Sequence, residues 1–126
     1  MSQSIMDMVA AAKGVVPAIS AAEAAKLHGR EDVLFVDVRD AEEVAQSGKI
    51  AGALNVSRGM LEFRADETTP YHNQAFAKDK TVVLYCASGG RSALCGKALL
   101  DLGYRNVKNL GAFKDWAESG LPTEKP

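Results

Sequence analysis

Short apolar runs alternate along the chain with segments in which apolar residues recur at helical spacing. The clearest runs are 33–36 (Val-Leu-Phe-Val) and 81–85 (Thr-Val-Val-Leu-Tyr), and both have the length of a strand. A continuous apolar run is typical of a strand that is covered on both faces. This order predicts an α/β fold with a mostly parallel central sheet and helices on both faces.

Helix boundaries are marked by residues that satisfy free backbone groups. Ser20 and Glu23 have the spacing of a capping box, which predicts a helix over about 21–28, with Gly29 able to end it in a left-handed turn. The same signature predicts a helix that starts after Asp40. Further strands are expected at 53–56 and 107–110, a short helix and then a long loop within 58–78, and helices over 91–102 and 112–118.

The N-terminal segment predicts an amphipathic helix from Met1 to Val16, because Ile5, Met8, Val9 and Ala12 follow helical spacing. It has no basic beginning and no long apolar stretch, so a signal peptide is not expected. We therefore divide the chain into an N-terminal helical extension, residues 1–17, and one domain, residues 18–126.

Composition and charge narrow the classes of partner. The chain has 126 residues, 47% of them hydrophobic, and a formal net charge of -1 with neither sign in a long block. This argues against nucleic-acid and acidic-membrane binding and favours a small substrate. No run of about 18 apolar residues occurs, so no transmembrane helix is expected, and the predicted location is cytoplasmic.

The two cysteines, Cys86 and Cys95, are too few for a disulfide scaffold or a cysteine-built metal site. No metal site is predicted, and neither His28 nor His72 has a partner at metal or dyad spacing. Cys95 lies within a predicted helix beside apolar residues, where a buried structural thiol is expected.

Cys86 directly follows the strongest strand and begins the segment Cys86-Ala87-Ser88-Gly89-Gly90-Arg91. Ligands of open parallel sheets bind beyond the carboxyl ends of the strands, so we expect this thiol to face solvent. The small residues allow successive N–H groups to converge on the sulfur, and the following helix and the Arg91 side chain add positive charge. Cys86 is therefore predicted to be a nucleophilic thiolate.

Arginines at other predicted strand ends are candidates for attracting an anion. Arg39, Arg58 and Arg64 could surround the crevice, and Arg58 is preferred because it follows the end of the strand predicted at 53–56.

The segment from Cys86 to Ser92 resembles the active-site loop of the rhodanese family, a cysteine followed by four residues and then often arginine and serine. Asp37-Val-Arg39 with Glu43, the run 48–55 and the run 109–122 resemble three further motifs of that family. Lys49, Ala51 and Ala112 depart from it, since the family often has histidine, proline and glycine there. The departures lie outside the cysteine loop.

The resemblance implies a single-domain, rhodanese-like sulfurtransferase over residues 18–126. Cys86 would carry a sulfane sulfur as a persulfide, moving it from a donor such as thiosulfate to a thiophilic acceptor such as cyanide or a thiol. An acceptor protein would be a further partner, and no cofactor is implied because the cysteine itself carries the sulfur. The substrate-binding residues would be Ala87, Ser88, Gly89, Gly90, Arg91, Ser92 and Arg58, with Asp37 and Arg39 shaping the site.

Two other functions remain open. A rhodanese fold can serve as a sulfur carrier or regulatory binding module with little turnover, although modules that lost catalysis usually lack the cysteine. A cysteine phosphatase or arsenate reductase would also place a thiolate in an anion-binding loop closed by arginine. Cys86 and Arg91 enclose four residues, one fewer than in cysteine phosphatases, so sulfur transfer is favoured.

Overall fold

The computed structural model describes residues 2–126, in which helices and strands alternate for most of the chain. The longest helix has 12 residues, and none within residues 2–126 is long and apolar enough to cross a bilayer. In chain order the elements are α1 Ile5–Val15, α2 Ala21–Leu27, β1 Val33–Asp37, α3 Ala41–Ser47, β2 Lys49–Ile50, β3 Leu54–Asn55, a 3₁₀ turn Arg58–Met60, α4 Leu61–Ala65, β4 Thr81–Cys86, α5 Gly90–Asp101, β5 Asn106–Ala112, α6 Phe113–Glu118 and β6 Thr123–Glu124.

The central sheet contains four parallel strands in the order β3-β1-β4-β5. The two strongest apolar runs became its inner strands, β1 and β4, which pair from Val33 opposite Thr81 to Asp37 opposite Tyr85. Their carboxyl ends therefore meet at one edge, and that edge carries Cys86. The predicted α/β fold with a mostly parallel sheet is confirmed.

Side chains of β4 alternate between two separate cores, as the two-residue period of a strand requires. Val82, Leu84 and Cys86 face a core built with α4, α5 and the end of α1. Val83 and Tyr85 face a second core built with α2 and α6. Helices thus cover both faces, as predicted.

The N-terminal helix α1 packs against α5 and runs in the same direction. Val9 lies beside Gly90 at the start of α5, and Val16 lies beside Gly96 one turn and a half further on. A Cβ atom at Gly96 would come within 2.8 Å of Val16 Cγ1, so only glycine permits this approach.

The predicted apolar stripe of α1 is only partly correct. Val9 and Ala12 are buried as expected, but Ile5 and Met8 are exposed, and the side chains that lie against the glycines of α5 are those of Val9 and Val16. Met1, which the prediction included, lies outside the described residues.

A second, two-stranded antiparallel sheet was not expected from the sequence. Lys49 pairs with Glu124 and Ile50 with Thr123, which joins the C-terminal segment to the end of α3. Strands of two residues are too short to show a hydrophobic period, so their partners can be identified only in the folded chain.

Candidate active site

The sulfur of Cys86 lies at the N-terminal end of α5 and accepts hydrogen bonds from the loop. The Gly89 N–H donates to Cys86 Sγ at 3.0 Å, and Ser92 Oγ lies 3.5 Å from the same atom. Gly89, the residue before α5, has no side chain with which to cap the helix. The Cys86 sulfur also accepts from the N–H of Ser92, the third residue of α5, the group that a capping oxygen satisfies in other helices.

Opposing effects act on the pKa of the Cys86 thiol. Burial raises it, whereas hydrogen bonds from the Ser92 side chain and from the backbone N–H groups of Ser92, Gly89 and Ser88 lower it. The hydrogen bonds prevail, so the pKa lies below the ordinary value for a thiol. The loop thus favours the thiolate, the nucleophilic form of cysteine.

The expectation that the Cys86 thiol faces solvent is wrong. Cys86 is 0% exposed and belongs to the core beneath α5, because strand alternation turns its side chain to the same face as Val82 and Leu84. Ala87 and Ser88, directly after it, are exposed. The chain thus returns to the surface directly after the cysteine.

Gly89 is required by the shape of the loop. Its φ is +98°, in the left-handed region that favours glycine. A Cβ atom there would also come within 3.2 Å of Gly111 Cα in β5. The N–H that points at the sulfur therefore depends on glycine at this position.

Arg91, the second residue of α5, is held by Glu43 of α3. Its Nη1 donates to Glu43 Oε1 at 2.6 Å and its Nη2 to Oε2 at 2.9 Å, and this pairing raises the pKa of Arg91. Glu43 also accepts from the Asp40 N–H at 3.2 Å. The sequence indicated this capping role and, through the family resemblance, a place beside Asp37-Val-Arg39, but neither signal pointed to Arg91, so the pairing was missed.

The ion pair should make the contribution of Glu43 to stability depend on pH. Its pKa is lowered from 4.5 to about 2, chiefly by the hydrogen bond from Arg91. A carboxyl pKa lowered on folding adds stability that is complete above about 4.5 and is lost as the pH falls through about 2. We expect Glu43→Gln to have a lower urea midpoint than the unmodified protein at pH 7, by a small amount because both side chains are about one-third exposed. The difference should close near pH 2, and a gap that persists there would mean a packing effect instead.

Arg39 does not surround the crevice, and this expectation is also corrected. It is 3% exposed and donates to Asp37 through Nε at 2.9 Å and through Nη2 at 2.6 Å. Its guanidinium also lies over the Phe113 ring, 4.6 Å from the centroid. Since Asp37 is buried beside it, Arg39 is committed to neutralising that carboxylate and is not available to a ligand.

The Asp37–Arg39 pair instead bears on the position of α3. Arg39 Nη1 donates to Ser47 Oγ at 2.6 Å, and Nη2 donates to the Gly48 carbonyl at 2.8 Å. These contacts fix the C-terminal end of α3, the helix whose Glu43 binds Arg91. Asp37 and Arg39 therefore influence the cysteine loop indirectly, by fixing the position of α3.

Two other cations lie near the sheet edge. Arg58 follows β3 and is exposed, with its backbone N–H bonded to the Val38 carbonyl at 3.2 Å. Lys13 of α1 lines a cavity of about 250 Å³ together with Ser88 and Gly89. Sequence reasoning missed Lys13, because nothing in the pattern shows that α1 reaches the loop.

Arg64 is the third arginine that was expected around the crevice. It is exposed and donates to the Tyr71 carbonyl at 3.4 Å.

Asn109 of β5 is a further residue that sequence reasoning did not assign to the site. It is 7% exposed, its Nδ2 donates to the Gly89 carbonyl at 3.3 Å, and its Oδ1 accepts from Ser92 Oγ at 2.7 Å. A signal existed, because Asn109 lies two residues after the buried Val107 and so shares its face. A polar side chain at such a position needs a buried partner.

Cys95 differs from Cys86 in its electrostatics, although both are buried. Burial raises the pKa of Cys95 to about 12. At pH 7 such a thiol is ionised in roughly one molecule in 10⁵.

We therefore expect iodoacetamide to modify Cys86 well before Cys95 in the folded protein, with the label located by peptide mass spectrometry. Equal labelling of the two would contradict the assignment of opposite pKa shifts.

The histidines make local contacts. His28 Nε2 lies 2.7 Å from the Ala51 carbonyl, and His72 Nε2 lies 3.3 Å from the Phe76 carbonyl. Within residues 2–126, no group of three or more His, Cys, Asp or Glu side chains is arranged to hold a metal ion.

Comparison with known proteins agrees with the fold and the cysteine loop. The family model for the rhodanese-like domain matches residues 20–119. A sulfurtransferase from Allochromatium vinosum is 39% identical over 102 residues, which is 80% of this chain and 87% of the relative.

Two solved structures extend the comparison. A protein of unknown function from Rhodopseudomonas palustris, described as a possible tyrosine phosphatase, is 39% identical with a TM-score of 0.91, over 98% of this chain and 96% of its own. The polysulfide-sulfur transferase homodimer from Wolinella succinogenes is 32% identical with a TM-score of 0.76, over 93% and 84%. The chain belongs to the rhodanese-like family, several of whose similar members are named as sulfurtransferases.

Proposed function

We propose that the protein transfers a sulfane sulfur from a donor such as thiosulfate to a thiophilic acceptor such as cyanide through a persulfide on Cys86. The observation that carries the proposal is the sulfur of Cys86 at the start of α5, where loop N–H groups and Ser92 lower the pKa of its thiol. A loop that stabilises negative charge on one sulfur also suits the negative charge of a persulfide.

The reaction balances in two steps. The Cys86 thiolate attacks the sulfane sulfur of thiosulfate, a sulfur–sulfur bond forms, and sulfite leaves with the electron pair of the bond that breaks. Cyanide then attacks the terminal sulfur of the persulfide, forming thiocyanate and returning the Cys86 thiolate. No cofactor takes part, since the cysteine holds the sulfur between the two steps.

The other residues of the site have supporting roles in this proposal. Ala87 and Ser88 form the exposed rim, and Gly89, Gly90 and Ser92 supply or position hydrogen-bond donors. Arg91 and Arg58 attract the anionic donor, Arg91 with part of its charge balanced by Glu43. Asp37 and Arg39 shape the site by fixing α3.

The proposal also covers the division of the chain, the location of the protein in the cell and its reaction partners. Residues 1–17 are an N-terminal helical extension of a rhodanese-like domain at 18–126, and the protein acts in the cytoplasm. Its partners are a small sulfur donor and a thiol or cyanide acceptor, and an acceptor protein can take the place of the small thiol.

Phosphatase activity is the second candidate, because a similar structure is described as a possible tyrosine phosphatase. A phosphoryl group requires donors for three oxygens around phosphorus, whereas a persulfide requires space for one added sulfur. Cys86 and Arg91 enclose only four residues, and the Arg91 fork is already engaged by Glu43. Both features favour the smaller group.

Intact-mass measurement tests the proposal directly. Thiosulfate should add the mass of one sulfur atom, peptide analysis should locate it on Cys86, and cyanide should remove it with release of thiocyanate. An aryl phosphate supplied to the same preparation should be hydrolysed far more slowly than sulfur is transferred. Sulfur on Cys95 alone, or no added sulfur with rapid Cys86-dependent phosphate release, would overturn the assignment.

A further inference from the structure

Ser92 and Asn109 form a buried polar pair beside Cys86 that the two-step reaction leaves unexplained. Ser92 is 0% and Asn109 7% exposed. The Ser92 hydroxyl lies 2.7 Å from Asn109 Oδ1 and 3.5 Å from Cys86 Sγ. It therefore has two acceptors within reach but only one proton to donate.

The orientation of the Asn109 amide is set by the loop. Its Nδ2 donates to the Gly89 carbonyl at 3.3 Å. An amide flipped by 180° would instead place Oδ1 against the Gly89 carbonyl oxygen, and two acceptors would face each other. Oδ1 consequently faces Ser92 as an acceptor only. Asn109 thus competes with the Cys86 sulfur for the Ser92 proton.

The backbone of Asn109 is also held in place. Its N–H donates to the Pro17 carbonyl at 2.8 Å, and its carbonyl accepts from the Ile19 N–H at 3.0 Å. With both backbone groups and the Nδ2 atom engaged, Oδ1 is a fixed acceptor. Reorientation is therefore left to the Ser92 hydroxyl, a single-bond rotor.

The stronger acceptor changes with the state of the sulfur. A thiolate Sγ carries a full charge, and a charged acceptor makes a stronger hydrogen bond than a neutral amide oxygen. When Sγ is bonded to a second sulfur, its charge has moved to the terminal atom and Sγ becomes a weak acceptor. The Ser92 proton then has its better partner in Asn109.

We propose that Asn109 is a positioning residue. Its Oδ1 accepts the hydrogen bond of the Ser92 hydroxyl while Cys86 carries sulfur, and the hydroxyl turns to the Cys86 thiolate when the sulfur has left. Asn109 thereby stabilises the loaded protein relative to the free thiolate. The part that concerns sulfur loading rests on the proposed sulfur transfer, whereas the competition for the proton does not.

Removing the competing acceptor should have two measurable effects. In Asn109→Leu, which keeps a side chain of similar size, the Ser92 hydroxyl is free for the thiolate at all times. The pKa of Cys86, read from its alkylation rate against pH, should fall by about 0.5–1, which corresponds to one neutral hydrogen bond. The loaded-to-free ratio at a fixed thiosulfate-to-sulfite ratio should fall about three- to tenfold.

The double variant separates this role from a structural one. With Ser92→Ala in the background there is no proton to compete for, so Asn109→Leu should leave both the pKa and the loading ratio unchanged. Equal effects in the two backgrounds would overturn the proposal, since they would come from the lost contact with Gly89. Asn106→Leu, on the exposed start of β5, is the matched control and should change neither quantity. The charged groups near the loop, Arg91, Glu43, Arg58 and Lys13, are the same in every variant.

A measurement on the unmodified chain covers the case in which Asn109→Leu does not fold. The ¹³C resonance of the Asn109 side-chain carbonyl should differ between thiosulfate-treated and cyanide-treated protein, and Ser92→Ala should abolish the difference. Once intact mass shows that sulfur has been loaded, a resonance that is identical in both states would overturn the proposal. If thiosulfate loads no sulfur on any variant, the proposed function fails, and the pH dependence of alkylation still decides the competition for the proton.

Discussion

Replacing Cys86 with serine should reduce thiosulfate-to-cyanide transfer by about 10⁴-fold or more, the scale on which loss of a nucleophile lowers turnover. A serine hydroxyl is not ionised near neutral pH and forms no persulfide, so neither half of the reaction can proceed through it. The measurement is the rate of thiocyanate release, together with the intact mass after thiosulfate. The mass of Cys86→Ser should not change.

Cys95→Ser is the matched control, because it is the same substitution at the other buried cysteine. It should keep transfer within a few-fold of the unmodified protein, with at most a modest loss of stability. If Cys86→Ser retained transfer, or if a folded Cys95→Ser lost it, the assignment of the nucleophile would be wrong.

The largest effect on stability is expected from Arg39→Met. The substitution leaves the Asp37 carboxylate, 0% exposed, without the cation that donates to both of its oxygens. Breaking a buried ion pair by removing one partner costs about 3–5 kcal/mol. The free energy of unfolding, measured in urea, should fall by that amount.

The chain offers a control with the same substitution. Arg30 pairs with Asp32 on the surface at 3.0 Å, with both side chains more than half exposed, so Arg30→Met should cost less than about 1 kcal/mol. Adding Asp37→Leu to Arg39→Met should recover part of the loss, because no unpaired charge then remains buried. Equal costs for Arg30→Met and Arg39→Met would show that the Asp37 carboxylate finds another partner.

The sequence predicts the fold class well because its inner strands are continuous apolar runs and its helices carry explicit caps. The runs at 33–36 and 81–85 became β1 and β4, and Ser20 caps α2 through hydrogen bonds exchanged with Glu23. The resemblance of the Cys86 loop led to the correct family. These signals are local, and each can be recognised within a short stretch of chain.

The features that could not be predicted depend on contacts between distant segments. Glu43 meets Arg91 across two helices, and Asn109 meets Ser92 across a strand and a helix. The expectation of a solvent-facing Cys86 failed for a related reason. The sequence placed the cysteine at the correct sheet edge, but strand alternation turns its side chain to the face of Val82 and Leu84, and the burial of that face depends on α5 packing over it.

The position of α1 has a consequence for how the chain acquires its structure during synthesis. Its 11 residues are too few for a stable helix in isolation, and the partner that α1 packs on, α5, emerges from the ribosome much later. The backbone pairing of Pro17 and Ile19 with Asn109 closes later still. Such non-local contacts slow folding. The chain as far as Asp101 must therefore leave the ribosome before α1 has this surface to join, and until then the apolar side chains of Val9 and Ala12 stay open to chaperones.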